Sequence, residues 1–238
     1  DSIHNNNNNN NNKTMYPAKA FLDDFCQTYQ RQLEKELVEQ KNPLASNRVA
    51  AKQALHRLLA SCEPHTSQER CWNWKNPLVE QCSSTRAAAP PYDTPAKVGL
   101  GIEQTLMNRG GTYNGYPVSD TYFGSFSLDA LAMALHCVYN TSSFAEAVVR
   151  CINFLGDADT TGSICGQIAG AFYGHSSIPV EWKRKLERWD GNGGFELRAI
   201  CLAVRGYEKY SLSLNEKQQQ QQQQQQQHDG NANGAMGF

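Results

Sequence analysis

The stretch GDADTTGSICGQIAGAFYG, residues 156–174, opens with two acids and two hydroxyls and then continues almost entirely in small residues. Asp157 and Asp159 lie two positions apart, and Thr160 adds a neutral oxygen beside them. Carboxylate and hydroxyl oxygens are hard donors, which bind Mg²⁺, Mn²⁺ or Ca²⁺ in preference to zinc. Because residues two apart in a loop can converge on one ion, this spacing predicts a cation site.

A simpler interpretation is that the acids only cap the helix that follows them. An Asp or a Thr at a helix N-terminus accepts hydrogen bonds from the free backbone N–H groups, and an Asp also meets the positive end of the helix dipole. One Asp would be enough for a cap, whereas this segment holds two Asp and two Thr. Capping and cation binding both remain open on the motif alone.

The same letters fit a third interpretation, D-x-D-x-T after an apolar run, which is the phosphatase pattern of the haloacid dehalogenase superfamily. In that pattern the first Asp is a phosphorylated nucleophile, the second is a general acid, and the motif ends a buried parallel strand. Here the run before Asp157 has helical spacing, and no Asp-Asp pair follows Lys183 and Lys185 in the folded segment. The phosphatase is therefore kept as a second alternative.

Two predicted helices lead into the acidic segment. The first has an apolar stripe and ends at Asn140 and Thr141; its stripe consists of Leu128, Leu131, Leu135 and Val138. The second begins at Ser143, with Glu146 three residues on in a capping-box arrangement, and ends at Gly156. Its predicted buried face consists of Phe144, Val148, Ile152 and Leu155. The acids therefore occupy a junction between two helices.

The helix after the acids is predicted to run from Thr160 or Thr161 to about Tyr173. Glycines recur every four residues on it, so they share one face: Gly162, Gly166, Gly170 and Gly174. Each glycine costs about 1 kcal/mol relative to alanine in a helix interior. We expect the face of Gly162, Gly166 and Gly170 to be buried against another helix, because close packing would offset that cost.

The remaining periodic segments are also helical, and no segment is a convincing strand. The spaced apolar residues are Phe21, Phe25, Leu33 and Leu37; Val49, Leu55, Leu58 and Leu59; Trp182, Leu186 and Trp189 after Pro179; and Leu197, Ile200, Val204 and Tyr207. Prolines punctuate residues 62–97, which we interpret as a loop or insertion. Asn114-Gly115 could form a hairpin turn, but its flanks do not alternate cleanly, so a loop lining a cleft is expected. The pattern predicts an all-α domain.

The composition limits the domain organisation and the class of partner. The 238-residue chain has a formal net charge of −1, which gives no bias toward nucleic acid or an anionic membrane. Asparagine and glutamine runs predict a disordered leader at 1–14 and a disordered tail at 215–238 around a helical domain at 15–214. Eight cysteines without a C-x-x-C pair predict buried free thiols in a reducing, intracellular compartment, cytoplasmic or nuclear. No signal peptide or membrane span is found.

The segment LGDADTTGSICGQIAGAFYGHSSIPVEW resembles the C-terminal signature of the ADP-ribosylglycohydrolases. In that family a Gly-Asp-x-Asp-Thr loop opens a Gly/Ala-rich helix, and Tyr-Gly, Ile-Pro and Trp follow. The matching residues here are Gly156, Asp157, Asp159, Thr160, Tyr173, Gly174, Ile178, Pro179 and Trp182. The upstream run GSFSLDALAMALHCVYNTSSFAEAVVRCIN is similar to the paired helices that lead into the family's metal loop. The resemblance covers about Thr112 to Trp189.

The resemblance implies an orthogonal all-α fold with two Mg²⁺ or Mn²⁺ ions between two ligand clusters. It implies hydrolysis of the glycosidic bond between ADP-ribose and a protein side chain or related acceptor. Asp157, Asp159 and Thr160 would form the second ligand cluster, and Phe126 matches an aromatic position, commonly Tyr, that lines the ribose and phosphate pocket. The implied partner is an ADP-ribosylated protein or another ADP-ribose conjugate. We expect a monomer that does not bind nucleic acid directly and does not bind a membrane.

The family's first ligand cluster, a Thr-Asp-Asp-Thr motif, is not found in this sequence. Asp23 and Asp24 have no flanking hydroxyl and lie in a helical pattern, so we interpret them as a solvated helix face. We therefore expect either a domain that is incomplete at its N-terminus or an enzyme that has lost half of its metal site. The alternative function is a non-catalytic binding or interaction module on the same fold.

Overall fold

The computed structural model describes residues 18–39, 46–78, 94–113, 116–117, 123–191 and 193–234. The chain divides into two units, residues 1–179 and 180–238. The helices of the first unit are α1 Ala18–Glu39, α2 Ser46–Ala60, α3 Thr94–Leu100, α4 Ile102–Asn108, α5 Ser127–Tyr139, α6 Phe144–Ile152 and α7 Ala158–Tyr173. Short 3₁₀ turns lie at Arg70–Trp72 and His175–Ser177. The leader at 1–14 lies outside the described residues.

The all-α prediction is confirmed, with one small correction. Strands β1 Thr112–Tyr113 and β2 Tyr116–Pro117 pair antiparallel, with Tyr113 opposite Tyr116. The expectation of a plain loop around Asn114-Gly115 was therefore wrong, although those two residues lie outside the described ranges.

Helix α5 is the centre of the first unit, because nearly its whole circumference is buried. Every residue from Ala132 to Val138 is buried, and Asp129 and Ala130 are buried in its first turn. Helices α1, α2, α6 and α7 all pack against α5. A helix that is covered on all sides needs small residues for close approach, and α5 carries three alanines.

Helices α6 and α7 pack closely against α5 and against each other. The buried residues of α7 are Thr161, Cys165 and Ala169, and those of α6 are Phe144, Ala147 and Cys151. The expected α6 face was partly wrong, because Ile152 is 40% exposed and Phe154, beyond the helix, is buried instead. In α1 the buried residues are Ala18, Leu22, Cys26 and Leu33, while Phe21 and Phe25 are about half exposed.

The α7 glycines only partly follow the expected close packing. A side chain on Gly162 would come within 2.7 Å of Ile152 Cγ2 on α6, and one on Gly170 would lie 3.7 Å from Phe144 Cε2. A side chain on Gly166 would meet nothing within 4 Å among the described residues. Packing against α6 therefore accounts for Gly162, and the expectation was wrong for Gly166.

Residues 62–78 form a well-packed irregular segment. Trp72 and Trp74 are fully buried, and their indole N–H groups donate to Asp129 Oδ1 at 3.0 Å and to the Leu58 carbonyl at 2.8 Å. The predicted loop at 62–97 ends earlier than expected, because α3 begins at Thr94; residues 79–93 lie outside the described ranges. Buried tryptophans that find acceptors fix this segment without regular structure.

The second unit consists of α8 Val180–Asp190 and α9 Gly194–Gly234. Gly191 and Gly193 have positive φ in the connecting turn, and Asp190 Oδ2 accepts a hydrogen bond from Phe195 N at 2.7 Å. Helix α9 continues through the glutamine run to Gly234, where composition predicts a disordered tail; glutamine is a good helix former. The predicted stripe of α9 and Cys201 are exposed.

The cysteines of the described residues are free thiols, and most are buried as expected. Cys62 and Cys201 are exposed, which corrects the expectation for those two, and Cys82 lies outside the described ranges. Burial raises the pKa of Cys26 to about 11 and that of Cys137 well above the ordinary value. These buried thiols are therefore neutral, as apolar packing requires.

His136 on α5 holds the 73–76 segment against the core as a neutral ring. Its Nδ1–H donates to the Trp74 carbonyl at 2.9 Å, and Nε2 has no partner among the described residues. Burial lowers the pKa of His136 to about 4, opposed by the Trp74 hydrogen bond and assisted by the charge of Arg150. Protonating this ring would place a charge in the apolar core.

Because Gly166 and Gly162 have different surroundings, alanine at the two positions should have different effects on stability. Gly166→Ala adds helix propensity without a clash and should raise the free energy of unfolding by up to about 1 kcal/mol, or Tm by about 2–4 °C. Gly162→Ala should gain less or lose stability, because its methyl group meets Ile152. Thermal unfolding of both variants checks this, and equal shifts would contradict the packing argument.

The pKa of His136 predicts a specific loss of stability in acid. The folded pKa, about 4, lies below the ordinary value of 6.5, so the unfolded chain takes up the proton first as the pH falls. The contribution of His136 is therefore present above pH 6.5 and is lost toward pH 4, by up to about 3 kcal/mol. The free energy of unfolding, measured with urea, should decrease more between pH 6.5 and pH 4 for wild type than for His136→Gln. The exposed His175→Gln serves as the control, and it should behave like wild type.

Candidate metal site

The acidic segment lies at a junction between helices, as the spacing predicted. Helix α6 ends at Ile152, a short turn follows, and α7 begins at Ala158 with Asp157 as its N-cap residue. Leu155 and Gly156 both have positive φ, at 64° and 70°, so the chain reverses just before the acids. A helix and not a buried strand precedes Asp157, so the fold does not support the phosphatase alternative.

The Asp157 side chain does not serve as the cap of α7. It makes no side-chain capping hydrogen bond, and the first turn is closed instead through its backbone carbonyl. Thr161 N donates to the Asp157 carbonyl at 3.0 Å, and Thr161 Oγ1 donates to the same oxygen at 3.1 Å. The second Thr therefore stabilises the turn from the buried side, and the simple capping interpretation does not account for the Asp157 carboxylate.

The two carboxyl groups of the segment lie in contact with each other. The pKa of Asp159 is lowered chiefly by a side-chain hydrogen bond with Asp157, and then by the backbone N–H groups of Thr160 and of Asp159 itself. Asp159 and Thr160 are exposed, and Asp157 is half-buried. Two adjacent acidic side chains and Thr160 form a compact set of oxygen donors at a helix N-terminus, and Asp159 and Thr160 face solvent.

A neighbouring segment fixes the turn from outside these two helices. The Phe123 carbonyl accepts a hydrogen bond from Asp157 N at 3.4 Å. A side chain on Gly156 would overlap the Phe123 carbonyl oxygen and would lie 2.9 Å from its nitrogen. Gly156 is therefore required twice, by its positive φ and by this close backbone approach.

Phe126 lies three residues after Phe123 and is the N-cap residue of α5. Its φ of −81° and ψ of 127° are extended, and its side chain is half-buried. The Phe123 hydrogen bond to Asp157 therefore brings the segment that carries Phe126 next to the acidic turn. A substrate-facing role for Phe126 stays a prediction.

A buried ion cluster in the first unit was not foreseen from the sequence. Arg109 is completely buried and donates to Asp129 Oδ2 at 2.6 Å, to Glu69 Oε2 at 2.7 Å and to the Gln68 carbonyl at 2.8 Å. Burial opposes its charge, but the hydrogen bonds and charge of Asp129 raise the pKa of Arg109. The only sequence signal is an acid in the first turn of α5; its partners come from distant segments that spacing does not connect.

The residues of the acidic turn fit one half of a metal site. Asp157, Asp159 and Thr160 offer three hard oxygen donors, about half of what octahedral Mg²⁺ needs. No group of three or more His, Cys, Asp and Glu side chains with metal-binding geometry occurs in the described part of the chain. Asp23 and Asp24 both lie on α1. Asp23 forms an ion pair with Lys75 Nζ at 2.7 Å, and Asp24 is exposed, so neither lies in a ligand cluster.

Substituting Gly156 should damage the turn more than substituting a glycine with the same backbone conformation elsewhere. Gly111 has φ of 73° and open space around a side chain, so Gly111→Ala carries only the cost of a left-handed residue, about 1 kcal/mol. Gly156→Ala carries that cost and also overlaps Phe123. Urea unfolding should show a loss for Gly156→Ala that is larger by 1 kcal/mol or more, as expected for overpacking of about 1–3 kcal/mol. Equal losses would show that the Phe123 contact is unimportant.

Comparison with known proteins shows which family the sequence is similar to. The ADP-ribosylglycohydrolase profile matches residues 33–222. An ADP-ribosylarginine hydrolase, Tri1, of Serratia proteamaculans is 34% identical over 104 residues, 44% of this chain and 27% of that protein. The ADP-ribosyl-[dinitrogen reductase] glycohydrolase of Rhodospirillum rubrum is 38% identical over 63 residues, 26% and 21% of the two chains.

More distant similarity extends to animal proteins. The ADP-ribosylhydrolase ARH3 of Bos taurus is 26% identical over 112 residues, 42% of this chain and 29% of that protein. No solved structure matches the chain. The matched segments thus span between 21% and 29% of the length of these three relatives. Because the family profile covers most of the sequence, from the middle of α1 into α9, the chain belongs to the ADP-ribosylglycohydrolase family.

Proposed function

We propose that this chain contributes to hydrolysis of the glycosidic bond between ADP-ribose and a protein side chain or related acceptor, with Asp157, Asp159 and Thr160 as metal ligands. The observation that carries the proposal is the pair of carboxyl groups in mutual contact at the start of α7, where Asp157 makes no capping bond. Family membership supports the reaction class. Tri1 is named for ADP-ribosylarginine, which makes an arginine-linked substrate the first to test.

The residues of the turn would divide the tasks of binding. Asp157 and Asp159 would hold the cation, and Thr160 would add a neutral oxygen on the same turn. Bound Mg²⁺ or Mn²⁺ would supply positive charge that fixes ribose hydroxyls and polarises a water molecule. The N-terminus of α7 favours anions, which suits a diphosphate. Phe126 has no hydroxyl, so it would contribute packing against the substrate and no hydrogen bond.

None of the helices within the described ranges is both long and apolar enough to cross a bilayer. The net charge of −1 gives no electrostatic attraction to polyanions. The proposed reaction requires an ADP-ribosylated protein or another ADP-ribose conjugate as the partner.

The metal part of the proposal predicts a sharp effect of one exposed acid. Mn²⁺ binding to the wild-type chain, followed by electron paramagnetic resonance, should be weak, because only about half of six ligands are present. Asp159→Asn should weaken it at least about 10-fold further, as loss of a ligand exceeds loss of an outer partner, about 10–100-fold. Glu103→Gln, an exposed acid in the first turn of α4, is the matched control and should bind like wild type.

Release of ADP-ribose from an ADP-ribosylarginine protein, with and without Mn²⁺, tests the reaction. Metal-dependent release that Asp159→Asn abolishes at unchanged Tm would support the hydrolase. Mn²⁺ binding without release would favour the non-catalytic module. Mn²⁺ binding that Asp159→Asn leaves unchanged would show that the ligand assignment is wrong.

A further inference from the structure

Phe123 is the point at which another part of the fold contacts the N-cap of α7. Its carbonyl accepts the Asp157 N–H at 3.4 Å, and its backbone fills the space where a side chain on Gly156 would lie. Among the described residues, this is the backbone hydrogen bond that connects Asp157 to a segment outside α6 and α7. The side chain of Phe123 is almost completely buried, at 1% exposure.

The backbone of Phe123 contacts the acidic turn, and its ring packs against the buried ion cluster. The Arg109 guanidinium carbon lies 5.8 Å from the centroid of this ring, within the range of a cation–π contact. Arg109 has little freedom, because Asp129, Glu69 and the Gln68 carbonyl each accept hydrogen bonds from it. Paired carboxylates hold a planar guanidinium in one orientation, so the ring rests on a rigid surface.

The acids of the turn need such an external anchor. Asp159 and Thr160 are exposed and make their close contacts within the turn itself, while Leu155, which is not a glycine, holds a strained left-handed conformation before them. A strained turn persists only when its surroundings over-determine it. The Phe123 backbone provides that constraint at Gly156 and Asp157.

We propose that Phe123 is a positioning residue, which couples the acidic turn of Asp157 and Asp159 to the buried Arg109–Asp129–Glu69 cluster. The contact between the Phe123 ring and the Arg109 guanidinium holds the Phe123 backbone in place. The Phe123 backbone then sets the direction in which α7 begins. The ligand role of the acids rests on the proposed function above, whereas the anchoring of the turn does not require a metal.

The test compares two buried phenylalanines that contact opposite ends of α7. Phe123 contacts the N-terminal end, and Phe144 is 7% exposed and lies against Gly170 near the C-terminal end. Phe123→Leu and Phe144→Leu remove the same ring from the core and should lower Tm by similar amounts. The readout is amide hydrogen exchange by NMR in the absence of metal, at Asp157 N–H, bonded to Phe123, and at Gly174 N–H, bonded to Gly170.

Phe123→Leu should accelerate exchange at Asp157 by about 10-fold or more while Gly174 changes little, since local opening is governed by nearby contacts. Phe144→Leu should show the reverse. Equal acceleration of both amides by both variants, or no selective effect of Phe123→Leu at Asp157, would overturn the proposal. If Phe123→Leu fails to fold, Phe123→Met keeps more of the side-chain volume and is judged by the same criterion.

Mn²⁺ binding to the same variants separates this proposal from the proposed function. If wild type binds Mn²⁺ through Asp159, Phe123→Leu should weaken that binding by about 10-fold, the size expected for an outer positioning group, and Phe144→Leu should not. A selective change in exchange without any Mn²⁺ binding by wild type would retain Phe123 as the anchor and reject the metal role of the turn.

Discussion

A guanidinium can be buried only if its charge and its N–H groups are matched, and that condition organises the first unit. Arg109 meets it with Asp129, Glu69 and a backbone carbonyl, which brings together the end of α4, the segment around the buried tryptophans and the start of α5. Removing one member of such a cluster leaves a buried charge unpaired, at a cost of about 3–5 kcal/mol. The cluster therefore fixes the position of α5 and of Phe123, whose ring packs against the Arg109 guanidinium.

The close packing of three helices is the second condition. Small residues along α7, namely Thr161, Cys165 and Ala169, are buried where α5 and α6 approach it, and Thr161 also closes the first turn of α7. The helix that carries the acids is thus densely packed on one side, while Asp157 is half-buried and Asp159 is exposed at its start. A rigid base with exposed donors reduces the entropy lost when a ligand binds.

The distribution of charge follows from the same physics. Inside the first unit, burial keeps His136 and the thiols of Cys26 and Cys137 neutral, and the charge of Arg109 is stabilised by its carboxylate partners. At the acidic turn, the Asp157 side chain and the backbone N–H groups of Thr160 and Asp159 lower the pKa of Asp159, which favours the charged form of that residue. In these two places charge is therefore matched in the interior, or placed at a helix N-terminus where a cation could approach.

Local patterns by themselves determined the helices, the junction and the donor types. Apolar spacing, the Ser143 cap and Gly156 depend on neighbours close in sequence, so α5, α6, α7 and the acids between them could be predicted. Which faces are buried was decided only by tertiary packing, as Ile152 and Gly166 show. The ion cluster and the contact of Phe123 with Asp157 join residues that are distant in sequence, and no local period encodes such pairs. They exist because the folded chain must match its buried charge and its backbone hydrogen bonds.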